Sequence, residues 1–137
     1  MSNEAFTQLI CAIRGDDFDK VQELVEQNKV RIDKFACYEA VQPNHSIILT
    51  YFLAKSTIPL SAWSFALKEA VRIQNEQALF LIISTFKDEK MRYIQSEVDS
   101  VVIQTIYEVT KCERKKQLTS GEAFKLIELI TRLYRED

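Results

Sequence analysis

One helical phrase occurs three times in the first 90 residues. Ala12-Ile13 is followed by Leu24-Val25, Ala40-Val41 by Phe52-Leu53, and Ala70-Val71 by Ile82-Ile83. In each copy the small residue precedes the apolar pair by 12 positions, and the copies start 28 and 30 residues apart. Two copies share the tripeptide Glu-Ala-Val, at Glu39-Ala40-Val41 and Glu69-Ala70-Val71. A period near 30 with two short helices per unit is the pattern of a stacked helical repeat. It leaves room for little besides an all-α chain of antiparallel helix pairs.

Composition agrees. The chain has 137 residues, the length of a single domain able to bury a real core. Only two glycines and two prolines occur, too few for a sheet with many tight turns. The net charge of −2 provides no field for nucleic acid, which is therefore an unfavoured partner. No stretch approaches the ~20 apolar residues of a membrane span, and Met1-Ser2-Asn3-Glu4 lacks the start of a secretion signal. Cys11, Cys37 and Cys112 are odd in number and far apart, which fits reduced thiols in a cytoplasmic compartment.

Apolar periodicity and caps predict eight helices in four pairs. The first covers Asn3 to Arg14. The second carries Phe18, Val21, Leu24 and Val25, and ends at Asn28 in a left-handed turn. Asp33 caps a third that Pro43 ends, and Asn44 caps a fourth. Thr57 to Leu60 is a linker before a fifth helix starting at Ser61. Asn75 caps a sixth that ends at Phe86, and Lys87 to Lys90 is a charged connector. Ser96 to Thr110 forms a seventh helix, Lys111 to Leu118 a basic polar loop, and Thr119-Ser120-Gly121-Glu122 a capping box for the eighth.

The stretch Thr7 to Asn28 resembles an ankyrin repeat. Thr7 and Leu9 match the family's opening and Ala12 its small helix position. Phe18, Val21, Leu24 and Val25 match its second helix, and Asn28 matches its terminus. Gln8 and Ile10 stand where the family has proline and histidine. The resemblance covers about residues 5–90 and implies a stacked scaffold that binds proteins. It also implies that Arg14, Gln42 and Arg72, at equivalent positions after the small-residue helix, face the partner. Bacterial effectors that act in a host cytosol, and their regulators, often look like this.

Chemistry is sparse. His45, the single histidine, lies at a helix start and is expected to be a solvated neighbour of the cap. The cysteines lack local activating patterns. Asp16, Asp17, Asp19, Glu23 and Glu26 complement a helix start rather than form a calcium loop. No motif calls for a metal or cofactor, and no glycine loop would cradle phosphate. Lys111 to Lys116 is the one basic run. Trp63 belongs either to the core or to a binding anchor, where tryptophan is enriched.

The expected function is a protein-interaction module, an adaptor or inhibitor, that uses Arg14, Gln42, Trp63 and Arg72 rather than an enzyme's machinery. The first alternative is a homodimer closed by the final helix pair. The second is a small enzyme or toxin using His45. The repeat has a direct test. Replacing Ala40 or Ala70 with Leu overpacks a helix contact and should destabilise by ~1–3 kcal/mol; thermal melts unchanged for both variants would contradict the stacking.

Overall fold

A computed structural model describes residues 2–55, 57–88 and 93–135. Among the described residues there are eight α-helices and no strand: α1 (Ser2–Arg14), α2 (Phe18–Glu26), α3 (Lys34–Ala40), α4 (Ser46–Leu53), α5 (Leu60–Arg72), α6 (Glu76–Phe86), α7 (Gln95–Arg114) and α8 (Ser120–Arg135). The chain divides into two compact units, Met1–Ala66 and Leu67–Asp137, and the division falls inside α5. None of the described helices is long and apolar enough to cross a membrane.

In the first unit, α1 packs on α2 and α3 on α4. The two pairs also meet, α1 against α3 and α2 against α4. The small residues make this possible. Ala12, Ala36 and Ala40 are buried, and their methyls let helix axes approach closely. Leu9, Ile13, Val21, Leu24, Ile48 and Phe52 fill the space between, each contributing roughly 1.5–3 kcal/mol by leaving water. In the second unit α8 packs against both α6 and α7. Ile82, Ile83, Val102, Val109, Leu126 and Ile130 are among its buried apolar side chains.

The turns after α1 and α5 follow one plan. After Ala12, the Asp16 N–H donates to Ile13 O and the Asp17 N–H to Ala12 O, both at 2.9 Å. After Ala70, the Gln74 N–H donates to Val71 O at 3.0 Å and the Asn75 N–H to Ala70 O at 2.9 Å. This is the Schellman arrangement, in which a left-handed residue satisfies carbonyls left over at a helix end. The left-handed residues of these two turns are Asp16 (φ 54°) and Gln74 (φ 57°); Asn44 (φ 73°) is left-handed after α3, and all three lie four positions past the alanine. The next residue, Asp17, His45 or Asn75, is the N-cap of the second helix.

The same plan occurs a third time, after α7. Lys116 is left-handed (φ 61°), its N–H donates to Glu113 O, and the Gln117 N–H donates to Cys112 O, both at 2.9 Å. Buried Cys112 therefore occupies the alanine slot. Two extra residues follow before Thr119 and Glu122 close the expected capping box, with bonds of 2.8 and 3.1 Å. This repeat position was invisible in the sequence, because cysteine replaced alanine and the loop was longer.

Several local expectations are corrected. Lys111 to Arg114 is the last turn of α7, not loop, since Cys112 is buried there. Leu118 is buried as well. The left-handed residue after α2 is Lys29 (φ 58°), not Asn28. Asn44 is the left-handed residue and His45 the N-cap of α4, with no side-chain capping bond. Helix α5 starts at Leu60. Of the connector Lys87 to Lys90, Glu89 and Lys90 lie outside the described residues. The caps Asp33 and Asn75 are where they were expected, and Asp17 caps α2.

A left-handed non-glycine residue costs about 1 kcal/mol. Lys116→Gly should therefore raise stability by about 0.5–1 kcal/mol, and Lys116→Val should lower it by at least about 1 kcal/mol. Urea denaturation with an unchanged slope measures both. A glycine variant no more stable than the parent would show that Lys116 is not strained.

Candidate functional site

The most elaborated surface of the first unit lies on α3 and its neighbours. Asp33 Oδ1 accepts from the Phe35 and Ala36 N–H groups at 3.0 and 3.1 Å, which starts α3 sharply. With Ala36, Cys37 and Ala40 turned inward, helical spacing leaves Phe35, Tyr38 and Glu39 on the outer side. Phe35 is 51% exposed. Phe65, on the first half of α5, meets Phe35 edge-to-face at 5.9 Å and Tyr38 at 5.8 Å. The Lys34 ammonium lies 5.3 Å from the Phe35 ring centroid and 5.1 Å from that of Phe65. Such edge-to-face and cation contacts fix ring positions while leaving ring faces open.

Two of the expected partner-facing residues border this cluster. Arg14 donates from Nη2 to Glu39 Oε2 at 3.1 Å and keeps a side chain 66% exposed. The hydrogen bond to Glu39 holds the guanidinium's pKa above its ordinary value. Gln42 Nε2 donates to Tyr38 O at 3.2 Å. Arg72 belongs to the second unit and folds back on its own helix, donating to both Glu69 oxygens at 2.8 and 2.7 Å.

Trp63 is corrected. It is 1% exposed, a core side chain that no partner can touch in this conformation. The rings of this cluster are instead Phe35, Tyr38 and Phe65, and the repeat holds a signal for two of them. Phe35, Phe65 and Tyr107 all stand five positions before the small residue of their helix. An aromatic recurring at a repeat position that faces away from the small-residue side marks an outer surface.

His45 is corrected too. It is buried, and its Nδ1 lies 3.2 Å from Asp16 Oδ1. The left-handed residue of the first turn thus holds the cap residue of the second. The other unit has a parallel contact. There the left-handed Gln74 lies beside Glu122, whose carboxyl is held below the usual range chiefly by the Thr119 N–H. Helices α2 and α4 are tied as well by Tyr51, whose hydroxyl donates to Glu26 at 2.5 Å. Burial, then the Glu26 carboxylate, pushes the Tyr51 hydroxyl up.

Among the described residues, no cluster of three His, Cys, Asp or Glu side chains is placed to hold a metal ion. An open groove of about 660 Å³ runs between α1 and the start of α2, where Gln8, Cys11, Gly15 and Lys20 line it. The basic run is divided: Lys111 and Arg114 end α7, and Lys115 and Lys116 form the turn. No family model matches the chain, and no curated protein or solved structure shows significant similarity to it.

The three thiols differ in a way that reagents can read. Cys11 is exposed, while Cys37 and Cys112 are buried. Burial pushes the Cys37 thiol up to about 12 and raises that of Cys112. Because the thiolate is the nucleophile, a disulfide reagent at pH 8 should titrate one fast thiol per native chain and three in guanidinium. Cys11→Ala should remove the fast phase, and a surviving fast phase would mean that a buried thiol is open to solvent.

Proposed function

We propose that this protein is an ankyrin-like interaction module that binds a protein partner and works as an adaptor or inhibitor. The contact surface of the first unit would be the outer side of α1, α3 and the first half of α5. Phe35, Tyr38 and Phe65 supply the apolar centre, and Lys34, Arg14 and Gln42 the polar rim. The observation that carries this reading is the Lys34–Phe35–Tyr38–Phe65 cluster, in which Phe35 is half exposed although each ring has a neighbour.

Aromatic and arginine side chains dominate binding energy because they offer large contact area at small entropic cost. Rings already pinned by their neighbours lose little freedom when a partner covers them. Arg14 is steered by Glu39, so its exposed guanidinium is also pre-positioned. Arg72 and Glu69 would present a similar pair from the second unit. His45 fits a structural tie between two turns better than a catalytic base, because its Nδ1 is engaged by Asp16 of a neighbouring turn. Reduced, buried Cys37 and Cys112 suit a cytosolic setting.

The test is comparative capture. The tagged chain and a Phe35→Ser/Arg14→Glu variant, matched in circular dichroism and melting temperature, are exposed to lysate of the native host. The reading expects a protein retained by the parent and depleted at least ten-fold by the variant, which corresponds to ~1.4 kcal/mol or more. Equal retention of every bound protein would overturn it.

A further inference from the structure

The outer side of the α7/α8 pair carries three large apolar side chains in solvent: Ile103 at 65%, Tyr107 at 63% and Phe124 at 68% exposure. Ile103 and Tyr107 are one turn apart on α7, opposite the inward row of Val98, Val102, Thr105 and Val109. At the far end of the pair, Gln95 Nε2 donates to the Tyr134 hydroxyl at 2.8 Å, and that hydroxyl donates to Asp99. This antiparallel register sets Phe124 level with Tyr107. With Ala123, Leu126 and Ile130 inward, the phase of α8 turns Phe124 to the same outer seam. Together the three present on the order of 400 Å² of apolar surface, the size at which a patch on a small protein is functional.

The charges on α7 say what fits there. Its first turn is acidic at Glu97 and its last turn is basic at Lys111 and Arg114. Glu97 and Lys111 lie on the same flank of the outer side, eight and six residues from the midpoint of Ile103 and Tyr107. A helix patterned this way is complementary to itself when inverted. We propose that a second copy of this chain docks on the α7/α8 face about a two-fold axis level with residues 103–107. Ile103 of each copy then meets Tyr107 of the other, and Glu97 faces Lys111 across the axis, with Arg114 close by. Two-fold contacts of this kind are the commonest in soluble assemblies because one patch serves both partners.

The area is adequate. A small stable interface buries roughly 800 Å² per partner, of which a little over half is apolar. The repeat supports the aromatic contact as well. Phe35 and Phe65, at the repeat position of Tyr107, pair edge-to-face. The Tyr107 ring has the Arg114 guanidinium at 5.9 Å and otherwise remains open.

Sedimentation equilibrium from 1 to 200 µM tests this. The mass should rise from 15.9 kDa toward twice that value with a dissociation constant in the micromolar range. Tyr107→Glu should weaken association at least 20-fold without changing the thermal melt, and Ile103→Ser is the second variant should Tyr107→Glu fold poorly. Glu97→Lys alone and Lys111→Glu alone should each weaken it several-fold, and both changes in one chain should restore it. Those residues are about 21 Å apart along α7, two Debye lengths, so rescue within one chain is excluded. A mass fixed at 15.9 kDa throughout, or a dimer indifferent to Tyr107→Glu and Ile103→Ser, would overturn the proposal. Reversals without rescue would overturn the inverted pairing.

Discussion

The turn that closes each helix pair is the constraint on which the rest depends. A small buried residue, Ala12, Ala40, Ala70 or Cys112, ends the inner part of a helix, and four residues later the chain passes through the left-handed region. That geometry reverses direction within a few residues and returns the second helix against the first. Glycine would enter this region freely, yet Asp16, Asn44, Gln74 and Lys116 occupy it. Each therefore opposes folding by about 1 kcal/mol, an amount that one well-buried Leu or Ile offsets. Tertiary packing holds the turns in place.

Within each unit, neighbouring turns are connected by the same side chains that strain them. Asp16 reaches His45, and Gln74 reaches Glu122. A left-handed residue projects its side chain away from its own helix, toward whatever packs beside the turn. The burial of His45 follows from this geometry. The outward positions of the first helices are then free to carry aromatic and cationic groups. They do so at Phe35, Phe65 and Tyr107, with Lys34 and Arg114 against the rings.

Much of the fold was legible in the residues. Polar caps such as Asp17, Asp33 and Asn75 announce helix starts because their oxygens are the nearest acceptors for free N–H groups. The Thr119–Glu122 box is local for the same reason. The end of α7 was not legible. Lys111 to Lys116 reads as polar loop, and only burial of Cys112 and Leu118 beneath it keeps Lys111 to Arg114 helical. The candidate surface was half legible: Arg14 and Gln42 followed from repeat position, whereas Trp63 was indistinguishable from an anchor until its burial was known.

Helix identity and order were encoded locally, in apolar spacing, caps and a recurring small residue, because each depends on neighbours within about one turn of chain. Burial and company were not. Whether Trp63 is inside, whether His45 meets Asp16, and whether Ile103, Tyr107 and Phe124 share one outer seam depend on which helices lie side by side. Residues far apart in the chain make those choices, because apolar area leaves water only when distant segments pack together.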